Sequence, residues 1–460
     1  MAAYQCLTKI AAPAWMDYIT IYDYLLLLVY LFFFYFLITL KSKKYEGTNL
    51  KKYLIIAFFL HVAGSVAYCM VIQYYYNSGD SLGFYEGSNF IRKTISATGD
   101  PFTPFFMSGS DFEKLTQVTN DSGLGLPTGI YIDSNLVVMK ISALLSYLSF
   151  NSYLIISLLF GLFTFTGLWK LYRTLNEISG RKVQQLLAYA VLYTPSICFW
   201  GSGLIKDSIC LGAIGFIGTY IYRIFIKKKF SFREPLLLLL FLYLLFVIKA
   251  YLASALLVSL VLAYVLNIII KNRKHFLKLI VVAGIVIISA VILTASLSSN
   301  LNSIIEDSKL NIETFKGAYA SSDGNEERSM VGFSTANIDI DLPNIILRSP
   351  LAVFTTLYRP FLWESNKPIV FLSALESALI LLATVYLLIK CRIGKFFYYI
   401  FTDPYLFFCF IFCIMLGIII GFSTFNFGTL VRYRLPMLPF YFFMLLKIYI
   451  KNKEARPLKG

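Results

Sequence analysis

Charged residues are scarce in this sequence of 460 residues. Only 14% are Asp, Glu, Lys or Arg, whereas 58% are hydrophobic and 17% are aromatic. This number of charged residues is too small to cover the surface of a water-soluble protein of this size. The composition therefore excludes a soluble globular protein. A polytopic membrane protein is predicted instead.

Histidine and patterned cysteine are also scarce. The two histidines, His61 and His275, stand far apart, one in an apolar run and one in a basic segment. This disfavours a Ser-His-Asp hydrolase and a histidine-rich metal centre. The seven cysteines include no C-x-x-C pair, and Cys409 and Cys413 are interpreted as small packing residues. Without a tight set of acidic ligands, a divalent ion is unsupported, and no cofactor or metal is predicted.

The formal net charge is +16, yet no basic groove with interleaved aromatic residues occurs in a soluble segment. A nucleic-acid partner is therefore not expected. Of the 41 basic residues, 26 fall in short connections at 41–52, 170–183, 223–233, 271–278, 390–395 and 447–459. By the positive-inside rule these connections are cytoplasmic, where their charge favours anionic lipid. Membrane lipid is the partner that this charge predicts.

Long apolar stretches recur along the whole chain, and most have the roughly 20 residues that a helix needs to cross a bilayer. The predicted class is an all-α polytopic membrane protein, a single transmembrane domain over 1–460. About eleven spans are predicted, at 20–40, 53–73, 152–170, 184–203, 207–225, 235–249, 251–270, 276–297, 368–390, 404–421 and 435–450. The two short predicted spans on either side of Lys249 could alternatively form a re-entrant pair.

An odd number of spans with cytoplasmic basic connections places the N-terminus outside and the C-terminus in the cytoplasm. The first apolar run lacks a basic leader, so it is interpreted as a permanent span. The expected location is the cytoplasmic membrane of a bacterium. Two extracytoplasmic loops are then long, 74–135 and 298–367, and function is expected there. The apolar segments 137–149 and 344–358 are predicted to be interfacial helices.

The first long loop begins with YYYNSGDSLGFYEGSNFIRK, residues 74–93. Asp80 follows a predicted span and precedes an amphipathic stretch that contains Tyr85 and Arg92. A carboxylate at the membrane surface can accept a proton from an acceptor hydroxyl while the other substrate stays in lipid. Asp80 is therefore the candidate catalytic base, with Tyr85 and Arg92 as candidate substrate contacts. A solvated loop carboxylate or a helix N-cap is the alternative for Asp80.

Two outer turns place lysine between apolar segments. GSGLIKDS contains Lys206 and Asp207, and FVIKAYLAS contains Lys249 and Tyr251. Cations at this depth suit a phosphate or diphosphate ligand, so these four residues are predicted to bind substrate. A simple ion pair between Lys206 and Asp207 is the alternative.

Further charges occur near the end of the chain. LYRPFLWESNKP contains Arg359 and Glu364, which are predicted either to contact substrate or to form an internal salt bridge. FGTLVRYRLPMLPFYFF places Arg432 and Arg434 at the outer head of the last predicted span, against the positive-inside bias. Both arginines are predicted to bind an anion.

This layout resembles the GT-C class of membrane glycosyltransferases. The resemblance rests on Asp80 and Tyr85 in the first long loop, the amphipathic stretch after them, and VRYRLPMLP, which is similar to an Arg/Tyr-Pro-Pro element of that class. It implies transfer of a sugar from a polyprenyl-phosphate or diphosphate donor to a glycan, lipid or protein acceptor outside the cytoplasm. Unlike that class, the loop follows the second span, and Asp80 is flanked by Gly79 and Ser81.

Two other functions remain open. An O-antigen or exopolysaccharide polymerase also resembles this layout, with about eleven spans, two large outer loops and outer arginines. It would move whole repeat units instead of one sugar. A lipid-linked glycan transporter or flippase is the alternative without covalent chemistry, and Glu376 and the break near Lys249 are its signals.

Overall fold

A computed structural model of the chain describes residues 18–100, 102–112, 129–130, 132–228, 231–271, 342–365, 368–424 and 426–455. Within these residues the chain forms helices and their connections, with no β-strand. The predicted all-α class is confirmed. Residues 298–341 of the second predicted long loop, 298–367, lie outside the described residues. The predicted span 276–297 also lies outside them.

The chain divides into two compact units, and the first comprises Met1–Leu171 and Ile197–Lys249. Its helices are α1 (Ile21–Ser42), α2 (Asn49–Met70), α3 (Asp80–Thr98), α4 (Thr103–Phe106), α5 (Asp133–Leu148), α6 (Tyr153–Ile178, as far as Leu171), α8 (Pro195–Trp200, from Ile197), α9 (Lys206–Ile221) and α10 (Arg233–Ile248). One-turn π-helices extend α2 over Val71–Tyr76 and α9 over Tyr222–Ile226.

The second unit comprises Tyr172–Ser196 and Ala250–Gly460. Its helices are α7 (Gln184–Leu192), α11 (Ala250–Lys271), α12 (Leu342–Tyr358), α13 (Pro368–Cys391), α14 (Ile393–Thr402), α15 (Pro404–Ser423), α16 (Phe427–Tyr433) and α17 (Leu438–Glu454).

Seven described helices are long and apolar enough to cross a membrane, namely Ile21–Tyr45, Asn49–Tyr76, Tyr153–Ile178, Lys206–Ile226, Ala250–Lys271, Pro368–Cys391 and Pro404–Ser423. Each contains most of a span predicted from the sequence. The count of eleven is not confirmed. The predicted span 184–203 is interrupted between α7 and α8, and α10 and α17 have 16 and 17 residues, fewer than the roughly 20 that cross the hydrocarbon core.

Glycines let helices approach closely in each unit. In the first unit, a methyl group at Gly215 would lie 3.0 Å from the Cα of Gly167, so α6 and α9 touch backbone to backbone. In the second, a methyl group at Gly417 would lie 3.2 Å from the Cα of Val353, where α12 packs on α15. Small residues are the usual means of such contact between apolar helices.

The chain turns sharply where α2 ends and α3 begins. Asn77 has a left-handed backbone (φ 51°), and Gly79 has φ 134°, a value that glycine adopts without strain. Asp80 is then the first residue of α3, and Gly79 is its N-cap. A carboxylate in the first turn interacts favourably with the helix dipole. The turn therefore presents the candidate base at the exposed end of α3.

The two predicted interfacial segments are helical. Segment 137–149 lies largely in α5, which packs on α3, and 344–358 lies in α12, which packs on α15. In α12 the Thr356 hydroxyl donates to the carbonyl of Gly417, at 2.9 Å. Both segments stay predictions as interfacial helices.

Candidate functional site: two clusters of charged residues

The first cluster of charged residues, the Asp80–Lys206 cluster, lies in the first unit. It comprises Asp80, Ser134, Lys206, Asp207 and Lys249, which come from the starts of α3, α5 and α9 and the end of α10. Lys206 and Asp207 are the first two residues of α9, after a fully buried connection at 201–205. Lys249 follows α10, and its N–H donates to the carbonyl of Leu245 at 2.9 Å.

A buried ion pair forms the base of this cluster. The Nζ of Lys249 lies 2.5 Å from an Oδ of Asp207, and the two side chains are 7% and 0% exposed. Charges withdrawn from water to this extent must be paired, because each alone would lose several kcal/mol of hydration. The ion pair of Asp207 is therefore with Lys249, at the end of a different helix, and not the predicted alternative with Lys206.

Lys206 occupies the boundary between this buried pair and the surface. Its Nζ donates to the Oγ of Ser134 at 2.7 Å, and its side chain is half-buried. It also interacts electrostatically with Lys249, with Asp207 and with Asp80, which is exposed. The structure thus brings together four of the residues predicted from sequence.

Ser134 was missed by the sequence analysis. Its only signal is its position directly after Asp133, where α5 begins at the end of the first long loop. Serine and aspartate are common at helix starts, so this signal does not indicate a ligand by itself.

Tyr85 and Arg92 lie on α3, farther along from Asp80. The Tyr85 hydroxyl donates to the carbonyl of Asn151 at 2.8 Å, and its ring packs edge-on against Tyr153. Burial raises the pKa of the Tyr85 phenol, which therefore stays neutral at physiological pH. The Arg92 guanidinium lies 6.0 Å from the centre of the Tyr147 ring. These contacts pack α3 on its neighbours, and substrate binding by either residue stays a prediction.

The second cluster, the Arg434 cluster, lies in the second unit and centres on a fully buried arginine. One Nη of Arg434 donates to the carbonyl of Arg359 at 2.9 Å, and the other donates to the Oγ of Ser377 at 2.9 Å. The carbonyl of Leu357, at the end of α12, lies 3.4 Å away. The positive charge of Arg434 thus lies at the last carbonyls of α12, where a cation stabilises the helix end.

Glu376 lies beside this guanidinium, 3.9 Å from Arg434, and bonds a second helix end. It accepts hydrogen bonds from the backbone N–H of Ser196 at 3.1 Å and from its Oγ at 2.6 Å. Glu376 therefore bonds α13 to Ser196 within the second unit, which favours a structural role over the ion-coupling role of a transporter.

Arg359 and Glu364 form the internal salt bridge that was one of their two predicted roles. The Nε of Arg359 donates to Glu364 at 3.0 Å, and an Nη contacts the other carboxylate oxygen. Glu364 also accepts the N–H of Phe361 at 2.8 Å, which closes the 3₁₀ turn Leu362–Glu364. Tyr251 and Arg432 are half-buried residues of α11 and α16, and their substrate contacts stay predictions.

Replacing Arg434 with lysine is expected to lower the free energy of unfolding by about 1–3 kcal/mol. An ammonium group cannot reach both Ser377 and the carbonyls of α12, so buried acceptors lose their partner. Thermal unfolding of the purified protein in neutral detergent measures the effect. The half-buried Arg432→Lys is the matched control, and equal midpoints for both variants would contradict the structural role of Arg434.

The described part of the chain holds no group of three or more His, Cys, Asp or Glu side chains placed to bind a metal ion. Comparison of the chain with known protein families, curated protein sequences and solved structures found no match. The fold and its seven apolar helices define a class, the polytopic α-helical membrane proteins. Any more specific function must be argued from the side chains themselves.

Proposed function

We propose that this protein is a membrane glycosyltransferase that moves a sugar from a polyprenyl-phosphate or diphosphate donor to a glycan, lipid or protein acceptor on the extracytoplasmic face. The observation that carries the proposal is the electrostatic interaction between the exposed Asp80 carboxylate and the half-buried Lys206 ammonium. A proton acceptor that interacts with a cation is the pair of groups that this transfer needs.

In the proposed reaction, Asp80 takes the proton of the acceptor hydroxyl as its oxygen attacks the anomeric carbon of the donor sugar. The bond from that carbon to the phosphate oxygen breaks, and the electron pair leaves with the phosphate. Lys206 neutralises the charge that develops there. Attack opposite to the leaving group inverts the anomeric configuration.

Asp207 and Lys249 have a different role in this proposal from direct contact with substrate. Their mutual ion pair is buried, whereas Lys206 is half-buried and Asp80 is exposed. The buried pair therefore positions the start of α9, and with it Lys206.

Arg434 is buried and bonded to protein groups, so its proposed role is to hold the end of α12 in place. Arg432 remains a proposed phosphate contact.

The proposal places the protein in the cytoplasmic membrane of a bacterium, with eleven spans, the N-terminus outside and the C-terminus in the cytoplasm. The support for this orientation is the concentration of Lys and Arg in the short connections. In this orientation Asp80 and Lys206 lie on the extracytoplasmic side, where polyprenyl-linked donors are presented.

Deletion of the gene tests the proposed function. Lipid-linked sugars and surface glycans would be extracted from the deletion strain and from the strain restored with the wild-type gene. A glycan that lacks one sugar supports a single-sugar transferase. Accumulated single repeat units would identify a polymerase, and an accumulated lipid-linked glycan of normal composition would identify a transporter. Unchanged glycans would refute the proposal.

Lys206→Gln is expected to raise the apparent KM for the donor about tenfold or more, because a hydrogen bond to a charged phosphate is worth about 1.5–3 kcal/mol. Donor titration of the purified protein measures this change. Lys93→Gln removes an exposed cation from α3 and serves as the matched control. An unchanged apparent KM in the Lys206 variant would remove Lys206 from the donor site.

A further inference from the structure

The short helix α14 connects two membrane-spanning helices. It has ten residues, Ile393–Thr402, and is joined to α13 by Arg392 alone and to α15 by Asp403 alone. Both neighbours are long and apolar enough to span. At about 15 Å, α14 is too short to cross roughly 30 Å of hydrocarbon. It must therefore lie where both spans meet the same surface of the membrane.

One face of α14 is covered by protein and another is not. Phe396 and Ile400, four residues apart, are buried inside the second unit, to which α14 belongs. Ile393, Tyr398 and Phe401 are 65%, 63% and 50% exposed. Water would penalise such a surface on a helix of this length, whereas the boundary between headgroups and acyl chains accommodates it.

Two cations accompany this apolar face. Arg392 and Lys395 are exposed, and among the ion pairs of the described residues none involves either of them. The carboxylate of Asp403, at the other end of α14, does not offset their charge. Burial opposes its ionisation, but Lys447 and Lys451 hold the pKa of Asp403 below its ordinary value and occupy its oxygens.

The backbone at Arg392 adds an independent observation. Its φ of 60° and ψ of 141° lie in a region that side-chain-bearing residues rarely adopt and glycine adopts without strain. An arginine here is unfavourable for the fold, and an interaction of its side chain with something outside the chain would offset that strain.

We propose that α14, with Arg392 and Lys395, is a binding site for anionic lipid. Tyr398 and Phe401 insert among the acyl chains near the headgroups, while the guanidinium and the ammonium bind lipid phosphates. Each basic residue near an anionic surface contributes an attraction that salt weakens. The site predicts that the stability of the protein depends on the anionic lipid of the surrounding bilayer.

The test compares thermal unfolding of the full chain in two nanodiscs, one of phosphatidylcholine alone and one that also contains phosphatidylglycerol. The wild-type midpoint is expected to be several degrees higher with phosphatidylglycerol. The double variant Arg392→Gln, Lys395→Gln is expected to lose most of this shift. The control Lys43→Gln, Lys44→Gln removes two exposed cations directly after α1 and is expected to lose much less of it. No shift in the wild type, or an equal loss in the control, would overturn the proposal.

Arg392→Gly separates binding from folding. Because glycine relieves the backbone at this position, the variant is expected to be as stable as the wild type, or more stable, in phosphatidylcholine. Its shift with phosphatidylglycerol should nevertheless be reduced. A full shift in this variant would show that Arg392 does not bind lipid.

Labelling tests the depth of the exposed face. The thiol of a Tyr398→Cys variant should react slowly with a membrane-impermeant maleimide in nanodiscs, because the reactive thiolate is disfavoured in lipid. The thiol of a Glu46→Cys variant, at an exposed position, should react rapidly. The six described native cysteines are buried, which limits the background. Equally rapid reaction at both positions would contradict insertion.

Discussion

Replacing Asp80 with asparagine is expected to abolish sugar transfer or to lower its rate by about 10²–10⁴-fold, the range that a general base contributes. Asparagine has nearly the same shape but cannot accept a proton at neutral pH. Asp80 is exposed at the first position of α3, so the substitution should leave folding and membrane insertion unchanged. The measurement is the initial rate of transfer by the purified variant at saturating donor.

The matched control is Asp133→Asn, because Asp133 is also exposed and also begins a helix of the first unit, α5. This control should retain the wild-type rate. Full activity of the Asp80 variant would remove the base assignment. Equal loss in both variants would mean that negative charge at the outer face matters in general, and that Asp80 has no special part in the chemistry.

Replacing Lys249 with methionine is expected to lower the free energy of unfolding by about 3–5 kcal/mol, because it leaves the carboxylate of Asp207 buried without its partner. That carboxylate is completely inaccessible to water. If the pair also positions Lys206, the variant that remains folded should show a raised donor KM. Thermal unfolding in neutral detergent and donor titration measure the two effects.

A double variant distinguishes the buried pair from lost packing. Asp207→Asn with Lys249→Met removes both charges and should recover much of the stability, because a buried ion pair can often be replaced by neutral groups at little cost. Lys51→Met is the control, since its pair with Glu46 spans 3.4 Å between exposed side chains and should contribute about 0–1 kcal/mol. A double variant as unstable as Lys249→Met alone would contradict the proposed pairing.

The all-helical class and the seven spans could be predicted from the sequence. Both depend on local information, because a membrane segment must satisfy its own backbone hydrogen bonds and must present about 20 apolar residues in succession. Local composition predicts membrane spans less well where apolar stretches are short or interrupted. The segment 184–203 is apolar over most of its length, yet the chain breaks there at Tyr193 and Thr194 to begin a separate helix at Pro195.

Candidate charges could be located from the sequence because charge within apolar segments is rare and conspicuous. Lys206, Asp207 and Lys249 stand out in this way, and Asp80 stands out as the carboxylate just after a predicted span. All four lie in one cluster of the first unit. The sequence could also offer a salt bridge between Arg359 and Glu364, since they are five positions apart.

The sequence by itself thus determined the class of the protein, the position of most spans and the identity of the unusual charges. The tertiary structure alone decided which charges meet. Successive residues of a helix do not face each other, and Asp207 pairs with Lys249, 42 residues along the chain. Lys206 reaches Ser134, 72 residues away, and Arg434 reaches the end of α12. Such partners depend on how helices pack, which the local pattern of residues along one chain does not reveal.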